Sequence, residues 1–202
     1  MKTESYGAVS VDSRSSALSI TAHAHSNTNY KHKERTMLTM TMIDQLNELG
    51  TLTDNSESAV QRVGARLIDE YFASSSTEQD AETVANVLYY LTDIQVRDYA
   101  LGMLDSNQAN TIIPVLEFLL DQAPTDTIYI NAPAAMLAQM QYEMGNTCGA
   151  LITLSNAQHD YSLAQLLYRV FKSGWEPASF ATMRQELHPK VVAGIFGEET
   201  NE

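Results

Sequence analysis

An all-α fold of stacked helical hairpins is what the 202-residue sequence predicts, on three observations. From residue 37 onward, large apolar side chains recur at helical spacing. Capping signatures precede several of these runs, and breakers follow them. The one stretch that alternates weakly, Ala17 to Ala22, has no partner strand, and an isolated strand cannot satisfy its backbone groups.

The elements follow in order. Met42, Ile43, Leu46 and Leu49 share a helical face, and the run stops at Gly50. Asp54 with Glu57 reads as a capping box, opening a helix whose inward face is Val60, Val63, Leu67, Ile68 and Tyr71. Ser76 with Gln79 repeats the signature before Val84, Val87, Leu88 and Leu91. Asp93 can cap a short helix carrying Val96, Tyr99, Ala100 and Met103. An amphipathic run spans Gln108 to Gln122, with Ile112, Ile113, Val115, Leu116, Leu119 and Leu120; Pro114 places the helix start close to itself, in the first turn, where a missing N–H is harmless. Ala123-Pro124-Thr125-Asp126 is a turn. A hairpin follows, Ala132 to Met144, then Gly145-Asn146, then Cys148 to Gln158. Ser162 to Lys172 forms a helix ending before Gly174, and Ala178 to Glu186 a last one, closed by His188-Pro189.

Composition limits the function classes. The net charge is −13, with 44% hydrophobic and 18% charged residues, which argues against wholesale disorder. Cys148 is the single cysteine, so neither an internal disulfide nor a cysteine zinc site can form. There is no apolar run of the ~20 residues that span a bilayer, and residues 1–30 lack a signal-peptide core, so a soluble, cytoplasmic protein without membrane contact is expected. Residues 1–36, net +2, read as a flexible polar tail, with leader sequence upstream of a start at Met37 or Met40 as the alternative. Residues 37–196 read as a single helical domain and residues 197–202 as an acidic tail. The acidity belongs to the body, since the 166 residues after the tail carry −15.

The segment Ala134 to Ala157 resembles one tetratricopeptide-type hairpin. Leu137 and Ala138 pair a large with a small residue, Gly145 turns the chain, Ala150 sits where the helices cross, and Leu154 and Ala157 complete the second helix. Ala134, Tyr142 and Ser162 depart from that pattern. A wider resemblance covers residues 90–177. Leu91-Thr-Asp-Ile-Gln-Val-Arg97-Asp98-Tyr99, Ala132-Pro-Ala-Ala-Met-Leu-Ala138, Tyr142-Glu-Met-Gly145-Asn, Ala150, and Tyr161-Ser-Leu-Ala164-Gln-Leu-Leu167 with Gly174-Trp-Glu-Pro177 occur in one order. The set is similar to the C-terminal half of an actinobacterial family known as domain of unknown function 4192. Members carry a Gly-Phe-x-Pro-x-x-Ser-Leu-like signature in a preceding half, and this sequence lacks it, which implies a shortened or divergent relative. The resemblance implies a helical fold and no particular chemistry.

Among polar residues Arg97-Asp98 is the most distinctive pair. Arg97 could hold an anionic ligand or partner carboxylate through its planar fork, with Tyr99 and Tyr142 beside it; the ordinary reading is that it bridges a neighbouring carboxylate. Between Arg97 and Arg169 there is no Lys or Arg, while Asp98, Asp105, Glu117, Asp121, Asp126, Glu143 and Asp160 all fall there, a possible acidic binding face. His23, His25 and His32 could ligate a metal, but nothing supplies a fixed third ligand, and no metal is expected. Cys148 and His159 lie too far apart along a helix to act as nucleophile and base, and Cys148 is expected to be buried. Met37, Met40 and Met42 read as core filling. Trp175 and Tyr161 read as anchors between the last helices. No phosphate loop, nucleophile elbow or metal helix occurs, so no catalytic residue, cofactor or enzymatic activity is expected.

Three function classes remain. The leading one is a non-enzymatic protein-interaction module, its acidic surface favouring a partner with a basic surface. The alternative is a DNA mimic of the phage or plasmid anti-restriction kind, with spaced carboxylates standing in for phosphates. A small-molecule enzyme would need Arg97, Tyr99 and Tyr142 to converge in a cleft. Direct nucleic-acid binding is disfavoured, because the one basic cluster, Lys31 to Arg35, is short.

Overall fold

The chain divides into two units, residues 1–38 and 39–202. The computed structural model describes residues 44–46, 57–76 and 79–197, all within the second. The expectations for the tail with His23, His25, His32 and Lys31 to Arg35, for Met37 to Ile43, for Leu49, Gly50 and Asp54, and for residues 198–202 lie outside the described residues.

Every regular element among the described residues is helical, and the fold is all-α. The α-helices are α1 (Glu57–Ser74), α2 (Ala81–Tyr90), α3 (Ile94–Met103), α4 (Ala109–Gln122), α5 (Asn131–Glu143), α6 (Thr147–Leu154), α7 (Ser162–Ser173) and α8 (Ala178–Phe196). Short 3-10 turns, Ser106–Gln108 and Ile128–Ile130, lead into α4 and α5.

Local chemistry accounts for most boundaries. Asp93 caps α3, its carboxylate accepting from the Gln95 and Val96 amides, as its position predicts. The cap of α2 is Asp80, not Ser76: Asp80 accepts from the amide and hydroxyl of Thr83 at 2.9 Å each. Gln79 instead donates to the Ser74 hydroxyl at 2.7 Å. The 123–126 turn forms as expected, with Asp126 at φ 60°, a left-handed conformation that aspartate tolerates.

Two proline expectations fail for one reason. Pro114 is the sixth residue of α4 rather than part of its first turn, and Pro189 lies inside α8, which continues to Phe196. A proline inside a helix loses one hydrogen bond and crowds the carbonyl four residues back. Both prolines face solvent, where water can serve that carbonyl. Beyond Pro189, Val191, Val192, Ile195 and Phe196 pack on the core, and Arg62 Nε of α1 donates to the Ile195 carbonyl at 3.0 Å. Packing over the last two turns outweighs the local cost.

The hydrophobic interior has two parts that share one wall. The larger draws on α1 to α4, one side of α5, and Ile195 near the end of α8. Ile68, Leu88, Leu91, Leu116 and Leu119 are at its centre, each stabilising the fold by about 2 kcal/mol. The smaller holds Ala135, Ala138 and Tyr142 of α5, Ala150 and Leu154 of α6, Ala164, Leu167 and Phe171 of α7, and Phe180 of α8. Residues 131–140 are all buried because α5 serves both. Ala132, Met136 and Met140, four apart, face the first core; Ala135, Ala138 and Tyr142, three and four apart, face the second.

Three inward placements are overturned. Val63, expected on the inner face of α1, is 54% exposed, since the buried stripe there is Gln61, Gly64, Ala65, Ile68 and Tyr71. Cys148 is exposed in the first turn of α6, leaving Ala150 and Leu154 to fill the hairpin. Trp175 is 50% exposed: its backbone carbonyl, which accepts from the Tyr142 hydroxyl, makes the anchoring contact, and its indole stays at the surface. Tyr161 is half-buried.

Candidate functional site

Arg97, in the first turn of α3, joins its sequence neighbour Asp98 to a residue 64 positions away. Its Nε and Nη2 donate to Asp98 Oδ1 at 2.9 and 2.6 Å, and Nη1 donates to the Tyr161 hydroxyl at 3.3 Å. The guanidinium carbon lies 5.9 Å from the centre of the Tyr161 ring, within cation–π range. Burial opposes the Arg97 charge, but Tyr161 and the Asp98 carboxylate outweigh it and raise the guanidinium pKa. Burial also raises the Tyr161 hydroxyl, with Arg97 pulling it partly back. The arginine fork is thus occupied internally, and its work here is to tie α3 to the start of α7.

The other members of that proposed site go elsewhere. The Tyr99 hydroxyl donates to the Asp69 carboxylate of α1, 2.8 and 3.0 Å from its two oxygens, while its ring packs on His188 of α8 at 5.2 Å. Burial, then the Asp69 bond, pushes Tyr99 up to about 12. Tyr142 lies in the smaller core, stacked on Phe171 at 4.3 Å. Arg97, Tyr99 and Tyr142 therefore reach three different partners and form no common cleft.

The seven carboxylates also divide. Asp98 is paired with Arg97, and Asp105 accepts from the Asn107 amide to cap the first 3-10 turn. Glu143 is no surface acid: its side chain is 2% exposed and both oxygens meet Arg184 of α8, Nη2 donating to Oε2 at 2.7 Å. Glu117, Asp121, Asp126 and Asp160 are exposed, the first two one turn apart on α4. Neither Glu143 burial nor its partner is legible in sequence, because Arg184 lies 41 residues away.

The described residues offer an open groove of about 670 Å³ between α6 and α7. Leu151, Leu154, Ala157, Ala164 and Tyr168 make its apolar surface, and Ser155, Gln158, His159, Gln165 and Arg169 its polar rim. One end is held by a reciprocal amide pair: Asn131 Nδ2 donates to Gln158 Oε1 at 2.9 Å, and the Gln158 amide to Asn131 Oδ1 at 2.7 Å. At the other end of α7, Gly174 takes the left-handed conformation at φ 69°, ending the helix as its position predicts. Large apolar side chains stand exposed on these two helices, Ile152 at 65%, Leu166 at 49% and Tyr168 at 51%. Lys172 lies 5.7 Å over the Tyr168 ring, so a cation and an aromatic are presented together.

Sequence reasoning passed over this groove. A signal was present: α7 buries Ala164, Leu167 and Phe171 at i, i+3 and i+7, and Leu166 and Tyr168 fall off that stripe.

A protein-family model described as "Domain of unknown function (DUF4192)" matches residues 3–178. The chain belongs to this family. The DUF4192 match begins far upstream of residue 90, so the kinship extends well beyond the C-terminal stretch that carries the resemblance. No curated protein and no solved structure matches the chain. DUF4192 membership brings no chemistry with it, which leaves function to the geometry of the site. None of the described helices is long and apolar enough to cross a membrane.

Proposed function

We propose that this DUF4192 protein is a non-enzymatic interaction module that docks a partner segment in the groove between α6 and α7. The observation that carries this reading is a concave surface lined by Leu151, Leu154, Ala157, Ala164 and the half-exposed Tyr168. An open concavity with an apolar lining and a polar rim is the usual form of a docking site. The hairpin α5–α6 and helix α7 frame the groove, their inner faces packed together in the smaller core.

The partner segment supplies apolar side chains for the groove and a carboxylate for Arg169 at its rim, where a planar fork suits bidentate pairing. A partner with a basic surface would instead use the exposed carboxylates of α4. The DNA-mimic alternative draws on that same set, from which Asp98, Asp105 and Glu143 are withdrawn by internal partners.

Affinity capture with three proteins separates these readings. A single partner retained by wild type, lost with Tyr168→Ala plus Arg169→Glu, and kept by Glu117→Gln plus Asp121→Asn supports groove docking. Loss only with the α4 variants, together with loss at high salt, moves the interface to the acidic surface. Capture of a DNA-processing enzyme through the α4 carboxylates favours mimicry. An inert monomer with no partner in any arm refutes the module.

A further inference from the structure

A second concavity, of about 290 Å³, lies where the C-terminal halves of α1 and α3 meet the N-terminal half of α4. Its apolar lining includes Phe72, Met103, Ile112 and Val115, with Gln108 and Thr111 contributing polar groups. One charged residue lines it, Asp69.

Asp69 is held by the neutral hydroxyl of Tyr99, whereas Asp98 and Glu143 each meet an arginine. His188, packed on the Tyr99 ring, also feels the Asp69 charge. Arg66, one turn earlier on α1, is exposed, and among the described residues no arginine or lysine pairs with Asp69. A carboxylate offers about four acceptor positions, and the single Tyr99 proton occupies one. That bond also holds the carboxylate in place, so a ligand need not order it.

We propose that this cleft binds a small organic cation, a primary ammonium on a short alkyl chain, with Asp69 as its counter-ion. The ammonium donates to Asp69, and the Thr111 hydroxyl and Gln108 side-chain carbonyl are the neighbouring acceptors. The alkyl chain lies against Met103 and Ile112. A metal ion is the poorer occupant, because no group of three or more His, Cys, Asp or Glu suited to one occurs among the described residues. The volume is at the small end for ligand pockets, which suits a ligand of a few carbons. The body's surplus of negative charge raises the local concentration of cations around the cleft.

The test is an NMR titration of the whole protein at pH 7, read at the Met103 and Ile112 methyl groups. The probes are n-butylammonium chloride, n-butanol and sodium butyrate. Saturable shifts are expected with butylammonium, at least about tenfold weaker binding of butanol, the neutral molecule of the same length, and none of butyrate. Asp69→Asn is expected to bring butylammonium down to the butanol level. Equal binding of butylammonium and butanol to the wild-type protein would overturn the proposal by making the cleft a plain apolar crevice. So would an undiminished response in Asp69→Asn, or no saturable binding of butylammonium at all. The wild-type comparison decides even where Asp69→Asn fails to fold. Groove variants on α7 leave this titration unchanged, so it stands or falls separately from partner docking.

Discussion

The two cores of this protein are built to different standards of coverage. Among the described residues the larger buries 25, drawn from α1 to α5, α8, Leu46 and the connecting segments, and its central Leu, Ile and Met side chains are closed off from solvent. The smaller buries nine, relies on the Tyr142–Phe171–Phe180 aromatic cluster, and leaves Ile152, Leu166, Tyr168 and Trp175 exposed around it. A core with few layers over it opens locally at lower cost and displays more apolar surface. The larger core therefore contributes more of the stability, and the smaller one leaves the apolar surface on which docking is proposed.

The largest effect is expected from cutting the buried ion pair that ties α5 to α8. Arg184→Met leaves Glu143 buried without a counter-charge and is expected to cost about 3–5 kcal/mol in urea unfolding. Adding Glu143→Leu should restore most of the loss, because the desolvated charge is then gone. Within the cores, Leu116→Ala is expected to cost about 2–5 kcal/mol and to lower amide protection throughout α1 to α5. Leu167→Ala should lower protection mainly in α6 and α7. Uniform loss from Leu167→Ala would merge the two cores into one cooperative unit.

The seam between α3 and α8 gives a smaller effect. Gly102 lets His188 lie against the α3 backbone, since a Cβ there would stand 1.9 Å from His188 Nδ1. Gly102→Ala should cost about 1–3 kcal/mol by pushing the imidazole outward.

His188 also adds a pH term. Burial lowers its pKa below the ordinary value, Asp69 pulls it partly back, and its Nδ1 is buried without a hydrogen-bond partner. The folded chain prefers the neutral ring. Stability is therefore full above the unfolded value of about 6.5 and declines as pH falls through it toward the folded pKa. Melting measured between pH 8 and pH 5 should show this decline in wild type and a shallower one in His188→Gln.

The smallest stability effect should have the largest functional one. Tyr168→Gln at the groove should change stability by no more than about 0.5 kcal/mol and weaken partner capture. Capture unaffected by Tyr168→Gln, with the fold intact, would remove that side chain from the proposed interface.

The sequence carried the local part of this structure. Apolar spacing located α1 to α7, Asp93 and Gly174 marked ends that form as expected, and the order of short motifs in residues 90–177 pointed to the DUF4192 family. These features depend on residues a few positions apart, whose geometry a helix repeats at every turn. Tertiary structure alone decided the rest. It carried α8 through Pro189, because packing at Ile195 and Phe196 offsets a local penalty. It turned Val63 outward and Glu143 inward, and gave Arg97, Tyr99 and Tyr142 separate partners 64, 30 and 33 residues distant. It also brought Asp69 to a cleft made by three helices, and opened a groove between α6 and α7. Burial and pairing depend on which helices meet, and the periodicity of one helix says which face turns inward without saying what it will find there.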